Sequence, residues 1–373
     1  MHKTIWFKIH WFLGITAGII LLVVGLSGAM LSFEKEIMNA MNKNSYTVLA
    51  QDGVERLSTK ELLEKFQYQL PEAKINSISF SNDKTSSTII NVAGKEARKG
   101  INYYVNPYDA TILPELKGKE FFSFVLTLHR WLAFSGDARE VGKQAVAIST
   151  IALIVLMISG IAVYWATIKR AFFKSFTFSF KHKKRAFLST MHSAIGMWVI
   201  PFYLLVSLTG IIMSYDVVKD TLYNMAGVQK PQKMQGMKSQ GKEENKIAKF
   251  DEYEKAVNLF DNFSEKSYST ATLRFPQNGT VYSFNYTDTK HHYNNLELDT
   301  SSLTLLKHEK IEDKSFVEQL LKSILYLHTG EYFGFIGKVG MFIASALMAL
   351  FTITGFMLYV NRKTKKKRKS IEE

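Results

Sequence analysis

The chain has 373 residues, of which 47% are hydrophobic and 21% are charged, and its formal net charge is +14. It contains no cysteine, which excludes disulfides, iron–sulfur ligation, thiol redox chemistry and cofactor attachment through thioethers. A strongly basic chain can be a nucleic-acid-binding protein or a membrane protein with basic loops. The position of the positive charge along the chain decides between these two classes.

The excess positive charge is confined to three short stretches. Segments 34–143 and 216–338 contain nearly equal numbers of acidic and basic residues, whereas bases crowd the N-terminus, the stretch from Lys169 to Arg185 and the tail after Arg362. Short basic loops beside apolar runs are typical of the cytoplasmic side of a membrane protein. The pattern therefore predicts that both termini and the middle loop are cytoplasmic, and it argues against a nucleic-acid partner.

Four uncharged runs are long enough to cross a hydrocarbon core about 30 Å thick. They are 9–33, 144–168, 195–215 and 339–360. The first is too long for the apolar core of a signal peptide and lacks a clear cleavage site, which favours an uncleaved helix. We therefore predict an α-helical membrane protein with four transmembrane helices, with the lipid bilayer as its partner.

The predicted organisation alternates helices with outside segments. Its parts are transmembrane helix 1 (1–34), a first outside α+β domain (35–120), an interfacial segment (121–143), transmembrane helix 2 (144–168), a basic cytoplasmic loop (169–188), transmembrane helix 3 (189–215), a second outside α+β domain (216–320), an interfacial segment (321–338), transmembrane helix 4 (339–360) and a basic cytoplasmic tail (361–373). In each outside domain a helical stretch, 59–68 or 253–260, precedes three strand-like stretches, which are 75–80, 87–93 and 101–107 in the first domain and 270–275, 280–286 and 293–299 in the second. The polar stretch from Gly227 to Lys246 is predicted to be a flexible linker.

An internal duplication is indicated by residues that recur at fixed offsets. At an offset of 182, helix 1 aligns with helix 3, and at 195, helix 2 aligns with helix 4. The matching pairs are His10 and His192, Gly14 and Gly196, Gly28 and Gly210, Gly142 and Gly337, and Gly160 and Gly355. His129 and His328 also correspond when a four-residue gap is allowed. The chain is therefore predicted to consist of two copies of a helix, outside domain and helix.

Four histidines occupy these aligned positions, one for each membrane helix. His10 and His192 are predicted at the cytoplasmic ends of helices 1 and 3, and His129 and His328 at the outer ends of helices 2 and 4. An ionisable side chain at membrane depth indicates a functional site, and neutral imidazole is a good ligand for haem iron. The alternative to haem ligation is that these histidines lie at the bilayer interface and that the glycines serve only helix packing.

Depth predicts the pairing of these ligands. His10 with His192 would hold one b-type haem near the cytoplasmic face, and His129 with His328 would hold a second near the outer face. Gly14 and Gly28 are predicted on the face of His10, where glycine allows close approach by a flat ring or another helix. Arg130 is a candidate partner for a haem propionate, with an interfacial role in the headgroups as the alternative. The pair His291 and His292 could bind a metal, although an exposed turn is the simpler interpretation.

The residues also resemble a known family. The stretches "FKIHWFLGITAGIILLVVGLSGAMLSFEKEI", "LTLHRWLAF", "MHSAIGMWVIPFYLLVSLTG" and "LYLHTGEYFG" are similar in order and spacing to the helices of PepSY-associated transmembrane proteins. The outside segments resemble their PepSY domains. The resemblance implies an iron-regulated inner-membrane protein, and some members are b-haem reductases of ferric siderophores. It also implies that His10, His192, His129 and His328 are haem ligands. Ser193 and Thr329 depart from the expected motifs.

Three functions compete at this point. The first is a transmembrane reductase that passes electrons from an unidentified donor through two haems to a ferric siderophore or another periplasmic iron complex. The second is a non-enzymatic PepSY protein that binds or regulates a partner. A transporter is less favoured, because the central parts of the helices carry no Asp, Glu, Lys or Arg.

Overall fold

The structure is a computed structural model, and it describes residues 2–50, 53–94, 100–228, 250–276, 280–289 and 292–372. Most of the predicted linker from Gly227 to Lys246 lies outside the described residues, as does His291. The chain divides into two compact units. The helical bundle comprises Met1–Lys35, Lys119–Lys230 and Leu320–Glu373, and the sheet unit comprises Glu36–Gly118 and Pro231–Gln319.

The described helices and strands follow one another in the order below. The α-helices are α1 (His2–Thr16), α2 (Gly18–Ser32), α3 (Glu34–Met41), α4 (Lys43–Tyr46), α5 (Thr59–Gln69), α6 (Lys119–Trp131), α7 (Ala138–Arg170), α8 (Lys184–Ser214), α9 (Asp216–Met225), α10 (Phe250–Phe263), α11 (Phe316–Lys322), α12 (Ile324–Thr329) and α13 (Gly334–Glu372). The strands are β1 (Ile75–Ser81), β2 (Thr88–Val92), β3 (Ile101–Val105), β4 (Tyr268–Arg274), β5 (Val281–Asp288), β6 (Tyr293–Asp299) and β7 (Leu305–Glu309).

The helical bundle contains membrane-spanning helices in the places where the sequence predicts them. Among the described residues, Ala138–Arg170, Lys184–Ser214 and Glu331–Arg362 are long and apolar enough to cross a membrane. The first predicted span is a bent pair, because α1 and α2 meet at an angle of 61°. Counting the bent pair as one span gives the four that the sequence predicts.

Glycine at the bend and beyond it allows α2 to lie directly against α13. A Cβ atom added at Gly25 would come within 2.5 Å of Met348 Cβ and 2.9 Å of the Ser345 carbonyl oxygen, so no larger residue fits there. The Thr352 hydroxyl, also on α13, donates to the Gly18 carbonyl at 3.2 Å. Close backbone approach through small residues is the usual way in which membrane helices gain packing energy.

Two histidines that the sequence places at the ends of spanning helices lie instead on separate short helices. His129 is on α6, which ends at Trp131 before α7 begins, and Leu132 and Ala133 between them have positive φ angles of 54° and 59°. His328 is on α12, which ends at Gly330 in the left-handed conformation. The chain reverses at these residues, and the spanning helix starts only after the turn.

The sheet unit has one seven-stranded antiparallel sheet in the order β3-β2-β1-β4-β5-β6-β7. The sequence predicts two outside domains, 35–120 and 216–320, but the central pair β1 and β4 joins strands from both segments. Ser79 and Thr272 are linked across this junction by a hydrogen bond of 2.8 Å between their hydroxyl oxygens. An unpaired edge strand exposes backbone donors and acceptors, and pairing the two edges satisfies both of them.

One hydrophobic core stabilises this sheet from both segments. Helices α5 and α10 bury Phe66 and Phe260 completely against strand residues such as Leu273 and Phe284. Phe260 stacks on Phe284 with ring centroids 4.5 Å apart. Helix α5 begins with a complete capping box in which the Ser58 side chain accepts from the backbone of the third helical residue. The shared core explains why the two sequence segments form one unit.

Candidate functional site: two histidine pairs

The first histidine pair, His10 and His192, lies between α1 and α8. Their ring centroids are 6.3 Å apart, and the ring planes are inclined by 80°. The Nδ1 atom of His10 lies 3.1 Å from the Leu156 carbonyl oxygen and 3.0 Å from the Ser159 hydroxyl on α7. The Nδ1 atom of His192 lies 2.7 Å from the Thr354 hydroxyl on α13.

The second histidine pair, His129 and His328, repeats this arrangement between α6 and α12. Their ring centroids are 6.2 Å apart, with an inclination of 69°. The Nδ1 atom of His129 lies 3.0 Å from the Val24 carbonyl oxygen and 3.2 Å from the Ser27 hydroxyl on α2. The Nδ1 atom of His328 lies 2.9 Å from the Thr209 hydroxyl on α8.

The hydrogen bonds assign the same tautomer to the four rings. A carbonyl oxygen can only accept, so Nδ1 of His10 and Nδ1 of His129 must carry the proton. The Thr354 and Thr209 hydroxyls donate to the carbonyl oxygens of Leu350 and Leu205 on their own helices, each at 2.6 Å, and so accept from the imidazole. Nε2 of each neutral ring is therefore left with a lone pair. Among the described residues, none of the four Nε2 atoms has a hydrogen-bond partner.

Each imidazole packs against a glycine of another helix. Added Cβ atoms would lie 3.1 Å from His129 Cε1 at Gly28 and 3.3 Å from His10 Cε1 at Gly160. The corresponding distances are 3.7 Å from His328 at Gly210 and 3.9 Å from His192 at Gly355. The sequence predicts Gly28 on the face of His10, but the bend between α1 and α2 places it against His129 instead.

The residue before each of these glycines is the hydroxyl partner of Nδ1. The four dipeptides are Ser27-Gly28, Ser159-Gly160, Thr209-Gly210 and Thr354-Gly355. The glycine provides space for the imidazole, and the hydroxyl fixes its tautomer and ring orientation. The fixed offsets in the sequence identify the glycines but not the hydroxyls, although the fourfold recurrence of a small hydroxyl residue before glycine is a signal that could have identified them.

Two further glycines hold the short helices of the second pair against the spanning helices. A Cβ atom at Gly142 on α7 would lie 2.0 Å from the Trp131 carbonyl oxygen, two residues after His129. A Cβ atom at Gly337 on α13 would lie 2.6 Å from the Gly330 carbonyl oxygen, two residues after His328. Any side chain at Gly142 or Gly337 would displace the turn that follows the histidine. These contacts fix the height of the second pair in the bundle.

A cavity of about 550 Å³ surrounds the first pair. Gly14, Gly160, Gly196 and Gly355 line it together with apolar side chains. Three cations also line it, and these are Lys8, Arg185 and Arg362. In the sequence these basic residues indicate only which ends of the helices are cytoplasmic. Their distance from the histidines does not follow from their positions along the chain. The cavity combines flat apolar walls, two imidazole nitrogens without a hydrogen-bond partner among the described residues, and positive charge.

The two pairs lie at different depths of the bundle. On α8, His192 belongs to the first pair, and Gly210 contacts His328 of the second pair. The helix rise of 1.5 Å per residue separates these two positions by roughly 27 Å along α8. Between them lie buried apolar side chains such as Leu153 and Met348, together with Tyr203, whose hydroxyl donates to the Ala344 carbonyl oxygen at 2.9 Å.

Arg130 lies on the exposed side of α6, with its guanidinium carbon 4.7 Å from the centre of the Trp131 ring. Arg139 also lies over this ring, at 3.6 Å. Cation–π stacking of this kind positions Arg130 beside the second pair without a described contact to either imidazole. Its role toward a propionate stays a prediction. His182 is exposed, and His308 bonds to Tyr286 in the sheet unit.

The geometry of both pairs fits two axial ligands of one metal. A metal–imidazole bond is about 2 Å long, so two imidazoles that ligate from opposite sides have ring centroids about 6 Å apart. Such rings can take any inclination about their common axis. Ligating histidines nearly always donate their other ring N–H to an outer partner, as Nδ1 does four times in this bundle.

The spanning helices define the class of this molecule, a multi-pass membrane protein. Residues 7–362 match the PepSY-associated TM region, and the chain therefore belongs to the PepSY-associated transmembrane family. The resemblance seen in the sequence is thereby confirmed. No curated protein sequence matches the chain.

Proposed function

We propose that this protein is a di-haem b-type reductase of the bacterial inner membrane, which passes electrons across the membrane to a periplasmic ferric siderophore or a similar iron complex. The observation that carries the proposal is the pairing of four imidazoles whose Nδ1 atoms are bonded and whose Nε2 atoms face no described partner. An imidazole whose Nδ1 donates to an outer partner and whose Nε2 keeps its lone pair is oriented to ligate a metal through Nε2.

The residues present fit haem at the first pair. The cavity of about 550 Å³ lies within the range of cofactor pockets, and its glycines leave room for a flat ring. Arg185 and Arg362 would neutralise the two propionates, with Lys8 as a third cation. At the second pair, the support is the same ring spacing and the same hydroxyl and glycine contacts. When bound, haem iron supplies one-electron transfer.

An internal duplication explains why these contacts recur. The offset of 182 carries Ser27-Gly28 onto Thr209-Gly210, and the offset of 195 carries Ser159-Gly160 onto Thr354-Gly355. Each half of the chain thus contributes one histidine to the first pair and one to the second pair. The sheet unit would then contain two PepSY-like copies, one from each outside segment.

The basic loops support an orientation with both termini in the cytoplasm. The first pair, lined by Lys8, Arg185 and Arg362, would then lie near the cytoplasmic donor. The second pair would lie near the periplasmic acceptor. The chain's own contribution is to orient the imidazoles, to keep water from the apolar core between the pairs and to set the electrostatic field through its cations.

An absorption spectrum of the purified full-length protein tests the proposal. We expect a Soret band that shifts on reduction by dithionite, with about two haems per chain, and its loss when alanine replaces all four histidines. His182→Ala, which changes an exposed histidine, is the matched control and should retain the full spectrum. Absence of a Soret band in the parent protein, or its persistence without the four histidines, would refute the proposal and favour a non-enzymatic PepSY function.

A further inference from the structure

A second group of metal-binding side chains lies in the sheet unit, at the end of the β5–β6 hairpin. Asp288 ends β5, His292 directly precedes β6, and Glu312 lies in a short 3-10 helix after β7. One donor atom from each of these three residues lies within 4.8 Å of the other two. Nothing in the proposed electron path uses them.

The spacing of the donor atoms matches the ligand shell of a small metal ion. Nδ1 of His292 lies 3.3 Å from Oδ2 of Asp288 and 3.2 Å from Oε1 of Glu312. Ligands about 2.1 Å from a tetrahedral metal are about 3.4 Å from one another, so both distances are those of neighbouring ligands.

The Nδ1 atom of His292 provides an independent indication. It is buried, yet it has no hydrogen-bond partner among the described residues, because neither carboxylate lies in hydrogen-bond geometry. A buried ring nitrogen without a partner is costly, and a simple hydrogen-bonded ion pair would have satisfied it. A cation bound by the nitrogen and the two carboxylates would satisfy this nitrogen.

The backbone holds two of these residues in place before any ion arrives. The other carboxylate oxygen of Asp288 accepts from the His292 backbone N–H at 2.8 Å, and the Asp288 N–H donates to the His292 carbonyl oxygen at 3.0 Å. The short helix of Glu312 is anchored by the Ile311 N–H, which donates to the Asn294 side chain at 2.9 Å. Preorganised ligands lose less conformational entropy when a metal binds.

We propose that Asp288, His292 and Glu312 form a binding site for a divalent first-row transition cation, such as Zn²⁺ or Fe²⁺. One imidazole nitrogen with two carboxylates suits these borderline ions better than Mg²⁺ or Ca²⁺, which prefer oxygen ligands alone. Three protein ligands leave at least one coordination position for water or for a ligand that the ion carries. The site does not depend on the haem proposal.

Isothermal titration of the full-length protein in detergent with Zn²⁺ tests this site, and anaerobic Fe²⁺ and Mg²⁺ serve as the second and third titrants. We expect tight Zn²⁺ and Fe²⁺ binding, with one equivalent weakened about tenfold or more in Asp288→Asn, His292→Ala and Glu312→Gln, and much weaker Mg²⁺ binding. Asp313→Asn, which removes a carboxylate from the same short helix, is the matched control and should bind as the parent does.

The titration separates a metal site from a bare ion pair. Equal Zn²⁺ affinity and stoichiometry in the parent and in Glu312→Gln and His292→Ala would overturn the proposal, as would the absence of binding to the parent. If His292→Ala fails to fold, Glu312→Gln decides the matter, because the Glu312 side chain is half-exposed and lies outside the β5–β6 hairpin. Since the readout is metal binding, it succeeds or fails independently of the haem spectrum.

Discussion

The helical bundle and the sheet unit use histidine in opposite ways. In the bundle, Nδ1 of His10 is bonded and its Nε2 has no partner within the described chain. In the sheet unit, the Nε2 atom of His308 is bonded to the Tyr286 hydroxyl at 2.7 Å. Nε2 is the nitrogen that projects farthest from the backbone. In the bundle this nitrogen is available to ligate a metal, whereas in the sheet unit its hydrogen bond to the tyrosine makes it unavailable. Burial alone therefore does not mark a functional histidine.

The largest expected effect comes from removing one histidine of each pair in turn. His192→Ala should abolish the first site and His328→Ala the second, so each variant should retain about one haem of two, because each haem would need both axial ligands. Haem content by pyridine haemochrome and the Soret intensity are the measurements. His308→Gln, in the sheet unit, should retain both haems. If either bundle variant lost both haems or neither, the two pairs would not be separate sites.

The glycines against the imidazoles provide the second prediction. Gly28→Ala should displace His129, because its Cβ atom would lie 3.1 Å from the ring, whereas Gly210→Ala meets His328 at an ordinary 3.7 Å. Overpacking of this kind costs about 1–3 kcal/mol, so Gly28→Ala should lose more haem from the second site and unfold at a lower temperature. Thermal release of haem measures both. Equal behaviour of the two variants would show that the contacts at Gly28 and Gly210 do not position the rings.

The hydroxyl partners should give a smaller effect. Thr354→Val removes the hydroxyl that lies 2.7 Å from Nδ1 of His192, while Ser159→Ala leaves His10 with the Leu156 carbonyl. Loss of an outer partner typically lowers metal affinity about 10- to 100-fold, so Thr354→Val should weaken haem binding more than Ser159→Ala does. Titration of the apoprotein with haemin measures the affinities. Thr354→Ser should restore them, and failure of this rescue would assign the effect to packing.

The sequence predicts the number of spans, the family and the four histidines, because charge distribution, apolar length and fixed offsets are local or periodic properties. It does not predict that His129 and His328 lie on short helices of their own. That depends on Gly142 and Gly337, whose close contacts join residues in different helices. The positive φ at Leu132 is equally invisible in the sequence.

Long-range pairing limits the prediction in the sheet unit as well. The helices α5 and α10 and six of the seven strands follow local patterns, and their predicted positions agree with the structure within a few residues. The pairing of β1 with β4 does not follow from these local patterns. The strands have similar apolar patterns, so many different pairings would bury their apolar side chains. In the candidate site, Lys8 and Arg362 were missed for the same reason, since they line one cavity from distant parts of the chain.

The smallest expected effect concerns His308, the histidine of the sheet unit whose Nε2 is hydrogen-bonded. Burial lowers the pKa of His308, the Lys310 charge lowers it further, and the Asp313 charge partly opposes them. Burial also raises the pKa of Tyr286 to about 12, so its hydroxyl keeps its proton at acidic and neutral pH. Because the folded pKa of His308 lies below the unfolded value of about 6.5, the unfolded chain binds this proton more readily. The sheet should therefore be fully stable above pH 6.5 and lose free energy of unfolding as the pH falls below it.

His308→Gln tests this linkage, because glutamine can still bond to Tyr286 but does not titrate in this range. Between pH 7.5 and 5.5, the unfolding temperature of the parent protein should fall further than that of the variant. The difference should correspond to about 1 kcal/mol or less, the value of a single hydrogen bond. Measuring both in the same detergent cancels the titration of the remaining groups. A variant as acid-sensitive as the parent would show that protonation of His308 does not limit the stability of the sheet.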